Sequence, residues 1–331
     1  MINTKGILIL FFFIFLGILP AQIVYAQDYQ EVTAQNGEGI YALLRRYNFQ
    51  AHADYDRFLV LNAGRLGKNN TLLAGQKYLL PLSSVTGAYP IFGAAYAEVK
   101  ILDQALSGAV YYLVSGHGGP DPGAVGKVDG KTVSEDEYAY DITLRLARKL
   151  VEHSALVYMI IRDNTDGIRN DRFLPLDTDE VCYPDLSIPL DVNARLRQRV
   201  NAINQLYRSH RAKGRSYQRC VVIHVDSRTR GQNIDVFFYH HQHSKSGKQL
   251  AMQLKKTFKA KYDRYQPGRG YTGTVSHRNL YMVRKTDPTA VYIELGNINN
   301  ARDQRRFLDS DNREALAKWL YEGLYEDFRK L

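Results

Sequence analysis

Val110-Tyr111-Tyr112-Leu113-Val114, running into Ser115-Gly116-His117-Gly118-Gly119-Pro120-Asp121-Pro122-Gly123-Ala124, is the stretch that decides the fold. Its first five residues are apolar and read as a buried strand. The glycines that follow permit turns with positive φ and close backbone approach. A strand ending in glycines and a histidine places that imidazole at the edge of a sheet. Outward from here, apolar runs alternate with long helical patterns. Residues 110–114, 156–161, 220–224, 235–239, 279–284 and 290–295 read as strands, and 134–153, 191–210, 244–259 and 313–329 as helices. The alternation predicts an α/β domain over 109–331, with a mixed, mostly parallel sheet flanked by helices.

Four side chains fall where such a sheet concentrates chemistry, at the carboxyl ends of strands and the starts of helices. His117 follows the first strand, Glu135 opens the next helix, His224 ends the run Val221-Val222-Ile223, and Glu294 ends Val291-Tyr292-Ile293. Two imidazoles and a carboxylate around an open position suit catalytic zinc, and a further carboxylate suits a general base. Helical phase separates two candidate carboxylates. Ala139, Ile142, Leu146 and Leu150 form one inward stripe, and Glu135 lies four residues before Ala139 on that stripe. Glu137 sits nearly opposite and is held in reserve. A carboxylate at the end of an apolar strand, like Glu294, is costly to bury unpaired. Asp121 either orients His117 or shapes its turn.

Residues 166–189 interrupt the pattern. The segment is polar, contains Pro175, Pro184 and Pro189, and reads as a long insertion over one end of the sheet, a candidate lid. It holds Cys182, which with Cys220 makes the chain's two cysteines, a possible disulfide in an oxidising compartment. That compartment is implied at the N-terminus. Lys5, the apolar run 7–19 and Val24-Tyr25-Ala26 form a signal peptide over 1–26, with Gln27 as the new terminus; an uncleaved anchor is the competing reading. No cysteine stands at the cleavage site, and no second spanning segment follows. The formal charge is +10, of which about +9 stays on the mature chain. Export makes nucleic acid an improbable partner and an anionic envelope polymer a suitable one.

Residues 29–82 read as a small module with a short amphipathic helix around Ile40, Leu43 and Leu44, closed by Gly75-Gln76-Lys77-Tyr78-Leu79-Leu80-Pro81. With Asn36-Gly37-Glu38-Gly39 and Leu61-Asn62, it resembles the LysM peptidoglycan-binding module, although the usual Asp-Thr of the first turn is missing. Residues 83–108, rich in Gly, Ala and Ser, read as a linker.

The larger domain resembles the zinc-dependent N-acetylmuramoyl-L-alanine amidases of the Amidase_3 type. The resemblance rests on His117-Gly118-Gly119-Pro120-Asp121-Pro122-Gly123-Ala124, on the helix opened by Glu135, and on Ile223-His224-Val225-Asp226. It rests further on Leu280-Tyr281-Met282-Val283-Arg284 and on Ile293-Glu294-Leu295-Gly296. It spans nearly all of 110–328, with Val225-Asp226 in place of Ala-Asn and a longer 166–189 insertion. It implies Zn2+ on His117, Glu135 and His224, Glu294 as general base, and Arg284 helping zinc at the oxyanion. The implied substrate is peptidoglycan, cut between N-acetylmuramic acid and L-alanine of the stem peptide. The implied location is periplasmic or secreted, with no stable membrane insertion after signal cleavage and a possible protein activator. Two other readings compete: a non-catalytic wall-binding protein that kept the fold, and a zinc peptidase cutting within the stem peptide.

Overall fold

The computed structural model describes residues 29–47, 55, 58–59, 61–81, 86–226 and 235–330. The signal peptide expected over 1–26 lies outside the described residues. Among those residues no helix is long and apolar enough to cross a membrane.

At the N-terminus, β1 (Tyr29–Thr33) and β2 (Lys77–Pro81) pair antiparallel with Val32 opposite Tyr78. Helix α1 (Ile40–Arg46) packs Ile40, Leu43 and Leu44 against Val32, Phe58, Tyr78 and Leu80, a small core of its own. The fully buried Asn62 fastens it. Its Nδ2 donates to the carbonyls of Phe58 and Leu79, at 2.9 and 3.0 Å, and its Oδ1 accepts the Leu79 amide at 2.8 Å. Both ends of the buried amide are thereby satisfied.

The segment expected as a linker is structured in its described part. Strands β3 (Thr86–Ala88) and β4 (Glu98–Lys100) form an antiparallel pair, and Phe92, Val99 and Leu106 are buried in the main core. Apolar residues spaced too widely to show a period still find that core.

The larger domain follows in chain order. Strand β5 (Val110–Ser115) leads to the hairpin β6 (Val125–Val128) and β7 (Lys131–Ser134), then helix α2 (Glu135–Glu152) and β8 (Leu156–Met159). Next comes β9 (Ile161–Arg162), which forms a small antiparallel sheet with β10 (Val181–Cys182) and β11 (Leu186–Ser187) of the insertion. Then come α3 (Val192–Ala212), β12 (Gln218–Asp226), β13 (Phe237–His240), α4 (Lys245–Tyr265) and β14 (Val275–His277). The chain closes with α5 (Tyr281–Lys285), β15 (Thr289–Asn297), α6 (Ala301–Leu308) and α7 (Ser310–Phe328). The main sheet has the order β14-β13-β15-β12-β5-β8. Strands β8, β5, β12 and β15 run parallel; β13 is antiparallel to β15 and carries β14 parallel beside it.

Alternation along the strands divides the core into two layers. Tyr111, Leu113, Val221, Ile223, Val291 and Ile293 face Ile142 and Leu146 of α2, Leu254 and Phe258 of α4, and Leu320 of α7. Val110, Tyr112, Val114, Cys220 and Val222 face Val200 and Ile203 of α3 and Met282 of α5. Each large apolar side chain taken from water stabilises the frame by about 1.5–3 kcal/mol, which lets the sheet's edge carry buried charge.

Two expectations change. Residues 279–284, expected as a strand, form the short helix α5, with the adjacent Met282 and Val283 both buried. A short apolar run does not reveal its period, and here consecutive residues face inward. Cys182 and Cys220 are buried in the same apolar layer but are free thiols, with pKa values pushed by burial to about 11 and about 12.

Candidate metal centre

The register of the central strands assembles the site. Ser115 of β5 lies beside Ile223 of β12, and His224 lies beside Glu294 of β15. Beyond β5 the chain turns through His117, whose φ of 62° is unusual for a residue with a Cβ. This conformation is held from several sides. His117 Nδ1 meets Asp121 Oδ2 at 2.9 Å, and the Arg199 guanidinium donates to the His117 carbonyl at 2.5 Å. Asp121 Oδ2 is itself gripped by Arg195 at 2.8 Å. With Nδ1 so engaged, Nε2 points to Glu135 Oε2, 3.2 Å away.

Glu135 is the hub. Its Oε1 lies 2.9 Å from His224 Nδ1 and accepts the Val225 amide at 3.0 Å, while its Oε2 accepts the Ala124 amide at 3.0 Å. It stands at the first turn of α2, where the helix dipole favours an anion. The His224 ring stacks on Tyr292 at 4.4 Å and meets the His117 ring edge-on at 4.9 Å. Ligand atoms of His117, Glu135 and His224 all lie within 4.8 Å of one another. Glycine makes room for this. A Cβ on Gly116 would lie 2.4 Å from the His224 ring, and one on Gly123 would lie 2.6 Å from the His117 ring.

Electrostatics agree with the geometry. Burial opposes charge on Glu135, yet His117 and His224 hold its carboxyl well below the usual carboxylate range. Burial opposes charge on His117 too, but Asp121 and Glu135 prevail and raise its pKa to about 10. His224, still partly exposed, is shifted down by burial. The hydrogen bond from His117 lowers Asp121 to about 2. A pocket that draws a proton onto a partly buried imidazole also favours a cation. Two imidazole nitrogens and a carboxylate, with the outer nitrogen of one imidazole fixed by Asp121, form a donor set that fits zinc.

The reserve carboxylate goes elsewhere. Glu137 does point away from Glu135's face, but the insertion covers it: Arg169 donates to its Oε2 at 2.9 Å and the Asp177 amide to its Oε1 at 3.1 Å. Glu294 is 3% exposed and neighbours His224 in register. Arg284 is exposed on α5 with its guanidinium 5.7 Å over the Tyr281 ring, and no hydrogen bond or ion pair joins it to His117, Glu135 or His224. Sequence reading passed over Arg195, Arg199 and Tyr292. The first two carried a signal, an i, i+4 pair of arginines on the face of α3 that buries Val200 and Ile203.

The insertion is fastened beside the cluster. Glu180 Oε2 accepts the Gly119 amide at 2.7 Å, and Ile188 packs against the same glycine. The fully buried Arg313 bonds Asp141 of α2 at 2.6 Å and the carbonyls of Arg169 and Asp171 at 2.8 and 2.9 Å, pinning the start of the insertion.

The mixed α/β sheet carries at its carboxyl edge a His-Glu-His donor set, a candidate metal site. Residues 112–326 match the N-acetylmuramoyl-L-alanine amidase family (Amidase_3), and the chain belongs to that family. The germination-specific N-acetylmuramoyl-L-alanine amidase of Bacillus subtilis (strain 168) is 44% identical over 61 residues, 18% of this chain. The match spans about a quarter (24%) of that relative's length. The CwlD amidase from Clostridioides difficile, solved in complex with the GerS lipoprotein, shares the fold at a TM-score of 0.50 and 20% identity. It covers 67% of this chain and 100% of its own.

Proposed function

We infer that the chain is a peptidoglycan hydrolase that cleaves the amide between N-acetylmuramic acid and L-alanine of the stem peptide. The observation that carries this reading is the convergence of His117, Glu135 and His224 donors within 4.8 Å, in a chain of the amidase family. Zinc held by these three residues would supply Lewis acidity to the scissile carbonyl and acidity to a bound water. The protein's own groups do the rest. Asp121, steadied by Arg195, fixes the His117 ring, and Tyr292 and Glu135 fix His224. Glu294 takes the proton of the attacking water and returns it to the leaving amine nitrogen as the carbon–nitrogen bond breaks. Arg284, exposed on α5, would help steady the oxyanion.

The rest of the reading follows the same logic. Residues 1–26 direct export to the periplasm or the cell exterior, 29–82 act as a LysM-like anchor on the glycan, and 109–331 carry the catalysis. The neighbour solved with a lipoprotein supports an activating protein partner. The test is digestion of purified peptidoglycan followed by mass spectrometry. Stem peptides with a free L-alanine amino end support the amidase. Cuts within the stem peptide would make the chain a peptidase, and wall binding without products even when a protein activator is supplied would make it a binding protein.

A further inference from the structure

Behind the His-Glu-His cluster lies a second concentration of carboxylates, between the first turn of α2 and the insertion. Oxygen atoms of Asp136, Glu137 and Glu180 lie within 4.8 Å of one another, as do those of Asp163, Asp177 and Glu180. Glu180 belongs to both groups. Asp136, Glu137, Glu180 and Asp163 are buried, at 1%, 2%, 5% and 3% exposure. Arg169 pairs with Glu137 and Asp166. The nearby Arg199 donates to the His117 carbonyl. Asp136, Asp163, Asp177, Asp179 and Glu180 have no ion pair among the described residues.

Hydrogen bonding accounts for some of these oxygens and leaves one without a donor. Asp163 Oδ1 accepts the amides of Thr165 and Asp166, and Glu180 Oε2 accepts that of Gly119. Asp136 Oδ1 accepts the Glu137 amide at 2.9 Å, but its Oδ2 accepts no hydrogen bond from any described residue. The neighbouring Ser134 hydroxyl lies near enough to Asp136 to favour its charged form, but it makes no close hydrogen bond. A buried carboxylate oxygen with no donor, among other buried carboxylates, is costly unless a cation joins it. We propose that Asp136, Glu137 and Glu180 bind a divalent cation of the calcium class, with Asp163 and Asp177 on its outer side. All the protein donors are oxygens, with no imidazole or thiolate, which favours a hard cation over zinc. The ion joins the insertion to the residue following Glu135 and, through Glu180 and Gly119, to the loop bearing His117. It thus braces the hydrolytic centre without belonging to it, and the proposal stands whether or not the chain cleaves peptidoglycan.

The test is calorimetric titration of calcium chloride into the purified chain, stripped of divalent ions and given one equivalent of zinc, with thermal unfolding in parallel. The expected result is one calcium per chain with a Kd of about 10⁻⁴–10⁻³ M. At a hundredfold excess over Kd, Tm should rise by about 5 °C. Asp136→Asn and Glu180→Gln should each weaken calcium binding at least tenfold, yet match or exceed the parent's Tm in calcium-free buffer, since each removes a repelling charge. Gln at 180 still accepts the Gly119 amide, so that variant decides alone if the other fails to fold. His224→Ala should keep the calcium response. No binding at 10 mM calcium, or binding unchanged in both acid variants, would overturn the proposal and mean that protons neutralise these acids.

Discussion

Three alanine substitutions separate the two demands that the site places on glycine. Gly116→Ala puts a Cβ 2.4 Å from Cε1 and Nδ1 of His224 at an ordinary backbone conformation. Gly123→Ala puts one 2.6 Å from His117 Cδ2 and 2.8 Å from Glu135 Oε2, at φ +69°. Gly130→Ala has φ +76° and nothing within 4 Å, so it reports backbone strain alone. Ordinary contact begins near 3.4 Å, so Gly116→Ala drives the His224 ring away by about 1 Å, several times the ~0.2 Å that a metal–ligand bond tolerates. The expected loss of zinc affinity is about 100-fold for Gly116→Ala and at least as large for Gly123→Ala. Strain alone should cost about 1 kcal/mol of stability in Gly130→Ala, with zinc affinity unchanged. Overpacking should cost about 1–3 kcal/mol in Gly116→Ala, and strain adds to it in Gly123→Ala. Urea unfolding of the metal-free variants gives the stabilities, and competition with a chromogenic chelator gives the affinities. A Gly116→Ala chain that binds zinc as tightly as its parent would refute the placement of His224 as a ligand.

Other substitutions divide the remaining roles. Glu294→Gln should lower kcat by about 10²–10⁴-fold while zinc content stays at the parent's level; loss of zinc instead would make Glu294 part of the metal site. Glu135→Gln should lose zinc, whereas Glu137→Gln should keep it and lose about 2 kcal/mol of stability through the broken Arg169 pair. Metal analysis of the two proteins after gel filtration distinguishes them, and the reverse pattern would exchange their roles. Burial, helped by the charges of Glu137 and Asp177 and opposed by the Gly119 amide, pushes Glu180 from 4.5 to about 7. The native state therefore keeps a proton that the unfolded chain releases. Stability without divalent ions is full below about pH 4.5 and falls by on the order of 3 kcal/mol as pH rises through 7. Glu180→Gln should flatten that slope in denaturant titrations between pH 5 and 8, and an unchanged slope would contradict the shift. Cys182 and Cys220 should both react with a thiol reagent in the unfolded, unreduced chain, and blocked thiols would restore the expected disulfide.

What the sequence revealed depended on periodicity. The strands containing Val110–Val114, Val221–His224 and Val291–Glu294 are continuous apolar runs because both faces of the sheet are covered, and helical phase placed Glu135 toward that sheet. The fold class and the convergence of His117, Glu135 and His224 follow from those patterns. Residues 279–284 were misread because a run of four apolar residues, Leu280 to Val283, fits a strand or a helical turn equally well, and burial of the consecutive Met282 and Val283 decided for the helix. Phe92, Val99 and Leu106 sit in a segment without period, so their place in the core could only be seen in three dimensions. Helical phase put Glu137 nearly opposite Glu135 but reports only the sheet side of α2, and it is the insertion that buries the other side. Asp121 was recognisable as a partner of His117, but the Arg195 that holds it comes from a helix more than seventy residues away. Contacts made by side-chain charge across such distances leave no local pattern.

The measurement to make first is hydrolysis of purified peptidoglycan by the metal-stripped chain as zinc is added back, with release of L-alanine amino ends read against zinc bound. The expected result is no release without metal and a linear return of activity that saturates at one zinc per chain, absent in Glu135→Gln at any zinc concentration. Full activity in the presence of chelator, or equal recovery in Glu135→Gln, would contradict a reaction centred on zinc held by His117, Glu135 and His224.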